Sequence, residues 1–218
     1  MLVVLCGLCA SPAHAGVQEQ ARADKAVHVL QQIMQAPDRG IPSRLVRDAY
    51  AIAVIPGVIK AGFVIGGRHG EGLLSIRNNG VWSNPIFLRM NGGSIGFQAG
   101  VQSTDVVLVF RTRRSVDSIV YGKFTLGADA SVAAGPVGRA ANAATDAQMR
   151  AEIYSYSRNR GLFAGVALDG SVLSIDAAAN AAVYGDDATP QRIFSGAVRG
   201  VPNEVVDFRD RLEEYTAR

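Results

Sequence analysis

Residues 51–67 read Ala-Ile-Ala-Val-Ile-Pro-Gly-Val-Ile-Lys-Ala-Gly-Phe-Val-Ile-Gly-Gly, and this stretch decides the fold. The apolar run from Ala49 to Gly67 is long enough to suggest a membrane-spanning helix. Pro56, Lys60 and the glycines interrupt it, however, and its apolar residues are mostly β-branched. Such a run predicts two buried strands, Ala51–Ile55 and Gly62–Ile65, rather than one helix.

Further short β-branched runs follow this stretch, and clusters of Gly, Pro and Asn separate them. Asn78-Asn79-Gly80 and Asp169-Gly170 are turn signals, and glycine makes up 24 of the 218 residues. Glycines inside strands mark bends, bulges or close approaches. These features predict an α+β fold built on an antiparallel, Gly-rich β-sandwich or partly closed barrel. The additional predicted strands are Leu73–Ile76, Val81–Met90, Ile95–Val101, Val106–Phe110, Ala164–Leu168 and Ser171–Ile175.

Helices are predicted on both sides of the strands. Residues 17–36 carry an apolar stripe at helical spacing, Pro37 ends this helix, and Ser43–Tyr50 forms a second helix with Ser43 as its N-cap. Short helices are expected at Val116–Tyr121 and Asp176–Tyr184, and a C-terminal helix starts near Asn203, where Val205, Phe208, Leu212 and Tyr215 share a face. Trp82, the only tryptophan, is expected in the core.

The N-terminal residues have the pattern of a signal peptide. An uncharged apolar run ends at Ala13-His14-Ala15, a small-x-small cleavage pattern. The pattern predicts a signal peptide at residues 1–15, a single mature domain at 16–218, and export to the periplasm or cell envelope. Cys6 and Cys9 leave a lipoprotein as the alternative. Cleavage after Ala15 would remove both cysteines, and with them any disulfide or thiolate ligand.

Five strings along the chain carry a resemblance to a known family. They are Ile55-Pro-Gly-Val-Ile-Lys60-Ala-Gly-Phe63, Gly70-Glu-Gly72, Trp82-Ser-Asn-Pro85, Gly135-Pro-Val-Gly-Arg139 and residues 157–171. In order and spacing these strings resemble the SYLF domain family, and the resemblance is strongest over residues 27–185. The resemblance implies a lipid-binding module with no known catalytic activity. Eukaryotic members of that family are associated with phosphoinositides, and yeast members with actin filaments.

One motif would suggest an enzyme. Gly92-Gly93-Ser94-Ile95-Gly96 matches the G-x-S-x-G nucleophile elbow, which needs a strand-to-helix turn and a later histidine. The mature histidines, His28 and His69, both precede Ser94, so the glycines are expected to serve a tight turn between strands. No phosphate loop or metal-ligand spacing is present in the sequence. The sequence therefore predicts a non-enzyme with no cofactor, metal or catalytic residue.

The basic residues are the candidate binding groups. Only three of the 22 are lysines, and the arginine bias suits a phosphate-bearing partner, although codon usage explains it equally well. Lys60 either pairs with a carboxylate or reaches its charge to water, or it points into a ligand site. Arg111, Arg113 and Arg114 form either a charged strand end or a phosphate-facing patch.

A further basic group follows a two-residue period. If residues 154–160 are extended, Tyr154, Tyr156, Arg158 and Arg160 share one face. This face is expected to be a plain solvated one, with lipid binding as the alternative.

The predicted partner is therefore an anionic phospholipid or membrane surface, with no nucleic acid and no identified protein partner. The rival hypothesis is a structural or protein-interaction module. Replacing Arg111, Arg113 and Arg114 by Ser is predicted to weaken binding to anionic lipid sharply. Truncating residues 17–25 is expected to matter less, because the charges of the first helix sum to zero.

Overall fold

The computed structural model describes residues 15–36, 40–62, 65–95, 100–137, 150–159, 162–166 and 168–217. The predicted signal peptide, apart from Ala15, lies outside these ranges, and so does Pro37.

The centre of the molecule is a curled, mostly antiparallel sheet. Its strands run in the order β6-β10-β4-β2-β1-β5-β8-β7, while β3 pairs with β2 and β9 with β8. Only the β7–β8 pair is parallel among the named strands. The strands are β1 (Ala51–Gly62), β2 (Ile65–Asn78), β3 (Val81–Trp82), β4 (Ile86–Ile95), β5 (Gly100–Phe110), β6 (Phe124–Thr125), β7 (Val132–Ala134), β8 (Ile153–Asn159), β9 (Leu162–Gly165) and β10 (Ser171–Ile175).

Helices flank this sheet at both ends of the chain, as predicted. They are α1 (Ala15–Gln35), α2 (Ser43–Arg47), α3 (Arg113–Tyr121), α4 (Ala177–Tyr184), α5 (Pro190–Phe194) and α6 (Asn203–Thr216). The predicted stripes are confirmed, since Ala26, Leu30 and Ile33 of α1 and Val205, Phe208 and Leu212 of α6 are fully buried. None of the helices in the described ranges is both long and apolar enough to cross a membrane.

The prediction for α2 was wrong in two respects. Pro42 is the N-cap residue, and Ser43 is already helical and makes no capping hydrogen bond. The helix ends at Arg47 because the chain then joins the sheet, where the Tyr50 N–H donates to the Phe110 carbonyl at 2.8 Å.

The curl of the sheet follows from its contacts. Helix α3 contacts both β5 and β10, which are four strand spacings apart in the sheet order, or roughly 19 Å if the sheet were flat. A helix about 10 Å wide reaches both strands only if the sheet curls. The predicted α+β class with a partly closed sheet is therefore confirmed.

Strand lengths and pairings differ from the prediction because glycine-rich segments continue the strands. The predicted strand Gly62–Ile65 was wrong, since Gly62 ends β1 and Ile65 begins β2, with Phe63 and Val64 outside the described residues. The Ile95–Val101 run likewise holds the end of β4 and the start of β5. Asp169-Gly170 forms a turn but no hairpin, because β9 pairs with β8 and β10 pairs with β4 and β6.

An ion network joins α1 to the sheet and to α4. Asp176, fully buried at the start of α4, accepts from Arg22 Nη1 of α1 at 3.1 Å and from Arg89 Nη2 of β4 at 2.8 Å. Glu71 of β2 accepts from Arg22 Nη2 at 2.6 Å. The Arg22 guanidinium also lies 5.5 Å from the centre of the Phe87 ring. The network fixes which face of the sheet α1 covers.

Trp82 is confirmed as a core residue, with 2% of its surface exposed. Its indole N–H donates to Thr216 Oγ1 of α6 at 3.0 Å, and its backbone N–H donates to Glu213. The Trp82-Ser-Asn-Pro85 string therefore anchors the C-terminal helix to β3.

Candidate anion-binding site

A β-bulge divides the central strands into two halves of different character. The register of β1 against β5 shifts between Ile55 and Val58, where the two residues Pro56 and Gly57 stand opposite the single residue Asp105. On one side of the bulge, residues 51–55, 73–76 and 106–110 are buried. On the other side, most described residues of four strand ends are exposed or half-buried. We call these ends, residues 58–62, 65–69, 91–95 and 100–104, the distal arm.

The bulge is held by a carboxylate from β5. Gly57 has φ of +59°, a conformation that glycine adopts without strain. Its N–H donates to Asp105 Oδ1 at 2.9 Å, and Asp105 Oδ2 accepts from Arg158 Nη2 at 2.6 Å. Arg158, one of the candidate lipid-binding residues, therefore lies in an ion pair that supports the bulge.

Lys60 and Arg68 lie side by side on the distal arm. They are directly opposite each other in the β1–β2 register, and cross-strand partners share one face of a sheet. Glu71 meets α1 on one face, so the alternation of β2 places Arg68, and Lys60 with it, on the opposite face. There Arg68 Nη1 donates to Ser171 Oγ of β10 at 3.1 Å.

This opposite face is closely packed next to the bulge. Gly70 belongs to it, and a Cβ atom there would lie 2.7 Å from Val58 Cγ2 and 2.8 Å from Ile55 Cγ2. Such crowding arises where a curled sheet brings the side chains of neighbouring strands together. Lys60 and Arg68 follow these residues toward the end of the strands, and both are half-buried.

The charge of this pair is not balanced within the arm. The residues of the distal arm include Lys60 and Arg68 but neither Asp nor Glu. Like charges directly opposite each other destabilise a sheet, and burial lowers the pKa of the Arg68 guanidinium below its usual value. The neighbouring glycines, among them Gly66 and Gly92, have no side chains that would cover the two charged groups. An anion seated between the two side chains would remove the repulsion, so this face is a candidate anion-binding site.

The predicted arginine cluster lies at the other end of the sheet. Arg111 follows β5, and Arg113 and Arg114 begin α3; all three are exposed. Arg113 Nε lies 3.3 Å from Asp117 Oδ2 within the helix. Phe110 is eight residues from Gln102, the partner of Lys60, so the two basic groups are roughly 26 Å apart along β5. The structure does not bring the predicted basic residues into one site, and Arg160 lies outside the described residues.

The predicted solvated face of β8 is a core face instead. Tyr154 is 4% exposed and Tyr156 is fully buried. Gly135 lies against the Tyr156 ring, where a Cβ atom would overlap it, and Gly165 is equally close to the Gly135 backbone. Gly135 and Gly165, which belong to two of the strings that resemble the family, thus form a glycine stack over Tyr156. The two-residue period of the sequence predicted that Tyr154 and Tyr156 share a face. It could not predict that the segment around Gly135 covers that face.

The serine motif lies in a different context from a nucleophile elbow. Gly92, Gly93 and Ser94 are inside β4, in register with residues 66–68 of β2, so they form neither the expected turn between strands nor a strand-to-helix turn. The next described element is β5. Within the described ranges, no three His, Cys, Asp or Glu side chains are grouped to hold a metal.

Sequence reasoning found Lys60 but missed Arg68 and Ser171. Arg68 stands in the Gly66-Gly67-Arg68-His69-Gly70 segment, which has no strand-like alternation. Only the β1–β2 register places Arg68 opposite Lys60.

The fold and site together define an α+β domain with a curled sheet, terminal helices and a basic strand end free of carboxylates. Comparison with known proteins gives the family. A sequence model of the Ysc84 family, described as "Las17-binding protein actin regulator", matches residues 91–215. The chain belongs to this family, which is the SYLF family that the motifs indicated.

Similar proteins come from yeast and from animals. The chain is 39% identical over 184 residues to "LAS seventeen-binding protein 3" of Saccharomyces cerevisiae, covering 83% of this chain and 39% of that protein. It is 37% identical over 187 residues to "Protein YSC84" of the same yeast, covering 82% and 40%. It is 31% identical over 206 residues to "SH3 domain-containing YSC84-like protein 1" of Bos taurus, covering 91% and 60%. The chain thus spans about two fifths of the length of these two yeast proteins, one of which is named as a binding protein.

Proposed function

We propose that this chain is a non-catalytic binding domain that holds the phosphate of an anionic lipid headgroup between Lys60 and Arg68. One observation carries the proposal: two cations stand opposite each other in register, on an arm without a carboxylate. A lipid phosphate supplies the missing negative charge, and a membrane surface meets the exposed end of a sheet without needing a deep pocket.

A protein partner is the second candidate function. The family description and the name of one yeast relative give Las17 binding, and the description adds actin regulation. An acidic protein surface offers the same charge to Lys60 and Arg68. The two candidates differ in one respect, since only the first predicts binding to pure lipid vesicles.

We expect Lys60→Ser with Arg68→Ser to weaken binding to anionic vesicles by about 30-fold. Each basic side chain near an anionic membrane contributes about 1 kcal/mol, and two such contributions correspond to about 30-fold in affinity. Co-sedimentation with phosphatidylcholine vesicles containing phosphatidylglycerol measures the effect. Binding of the unmodified chain should weaken as salt is raised, because screening shortens the reach of the charges.

The matched control replaces Arg111, Arg113 and Arg114 by Ser, which removes more charge at the other end of the sheet. In contrast to the expectation from sequence alone, this variant should retain most of the binding, because an arm attached to the membrane holds α3 roughly 26 Å away. Loss of binding in the control, with retention in the Lys60/Arg68 variant, would move the lipid site to α3. No binding of the unmodified chain to anionic vesicles would refute the lipid proposal and leave the protein partner.

A further inference from the structure

The distal arm also exposes apolar side chains on the face that α1 covers elsewhere. Ile59 is 49% exposed and Val101 is 74% exposed. Ile59 is opposite His69 in the register, and His69 shares the α1 side of β2 with Glu71. Val101 is opposite Ala61, two residues from Ile59. Ile59 and Val101 are therefore diagonal neighbours on one face, close enough for their side chains to touch.

The position of these residues is unusual for a water-facing strand end. The same strands bury their apolar residues on both faces before the bulge, as at the consecutive residues Val54 and Ile55 of β1. Exposed apolar patches bordered by polar residues are typical of protein or membrane interaction sites. Here one face has Ile59, Ala61 and Val101, the other has Lys60 and Arg68, and no carboxylate of the arm would repel an anionic surface.

We propose that the distal arm inserts end-first into the interface of an anionic bilayer. Val101 and Ile59 enter the boundary between headgroups and acyl chains, about 5–10 Å deep. Lys60 and Arg68 have long aliphatic stems, which let their charged groups reach back to the phosphates from the same depth. The hydrogen bonds between the four strands keep most of the backbone polar groups paired as the end enters. This inference rests on the proposed lipid binding and adds the mode of docking.

The test places a fluorescent probe at the inserted position. Val101→Cys is labelled with an environment-sensitive fluorophore in a chain whose Cys6 and Cys9 are Ser, and Ser118→Cys on the exposed side of α3 is the matched control. With phosphatidylcholine–phosphatidylglycerol vesicles, the probe at 101 should shift to shorter wavelength and be quenched by lipids brominated on their acyl chains. The probe at 118 should stay in water.

A second variant separates insertion from charge. Ile59→Ser with Val101→Ser keeps Lys60 and Arg68 and changes only exposed side chains, so it should fold normally. We expect it to bind the same vesicles at least about tenfold more weakly, because it loses the apolar area that insertion buries.

The outcomes distinguish this inference from the proposed function. Co-sedimentation that depends on Lys60 and Arg68, with an unshifted probe at 101 and an unaffected Ile59/Val101 variant, would overturn insertion and leave headgroup binding intact. Absence of any vesicle binding would overturn both.

Discussion

Replacing Asp176 by Asn is expected to lower the free energy of unfolding by about 3 kcal/mol, because it removes the shared anion of a buried ion network. Asp176 bonds both Arg22 and Arg89, and only 12% of the Arg22 side chain is exposed to solvent. After the substitution, Glu71 alone faces two guanidinium groups. Asparagine keeps the oxygen that accepts from the Ala179 N–H, so helix capping is preserved. The decrease in the free energy of unfolding therefore measures the effect of removing the charge. Urea denaturation measures it.

The control for this prediction is Asp117→Asn on α3. Asp117 also pairs with an arginine, Arg113, but the two side chains are 47% and 74% exposed. Exposed pairs of this kind contribute about 0.5 kcal/mol or less. Equal losses in the two variants would show that the Asp176 network does not hold α1 and α4 to the sheet.

Gly165→Ala is expected to destabilise the chain by about 3 kcal/mol, at the upper end of the cost of overpacking. The new methyl group would overlap the Gly135 carbonyl oxygen and would lie 2.7 Å from the Gly135 nitrogen. These are backbone atoms, and Gly135 is itself held against the buried Tyr156 ring, so neither side can move away. Thermal and urea unfolding measure the loss.

Gly93→Ala is the matched control, since a Cβ atom at this strand position meets nothing within 4 Å. Its free energy of unfolding should equal or slightly exceed that of the unmodified chain, because alanine has less conformational freedom to lose on folding. If Gly165→Ala were equally harmless, the close packing over Tyr156 would not require glycine at this position.

The elements that could be predicted from sequence are those with strong local patterns. The stripe Ala26–Leu30–Ile33 predicted α1, and Val205–Phe208–Leu212 predicted α6, because helical periodicity repeats within a single segment. The run Ala51–Ile55 predicted a buried strand for the same reason. The ends of β1, β2 and β4 could not be predicted, since their glycines carry no alternation and gain strand structure only from the neighbouring strands.

The candidate site could be predicted only in part, because its contacts are long-range. Lys60 stood out as a charge in an apolar run, but Arg68 becomes its neighbour only through the β1–β2 register. Arg158 was indistinguishable from an unpaired surface arginine until β5 placed Asp105, 53 residues away, beside it. Arg113 and Arg114 were expected at a strand end, whereas they open a helix that follows the strand after two residues.

The measurement that tests the central claim most directly is amide hydrogen exchange, followed by peptide mass spectrometry, with and without anionic vesicles. If the distal arm is the binding surface, exchange should slow at residues 58–62, 65–69 and 100–104 in the presence of phosphatidylglycerol. It should be unchanged at 113–121 and with pure phosphatidylcholine. Slower exchange at α3 or along α1, with the distal arm unaffected, would contradict the account.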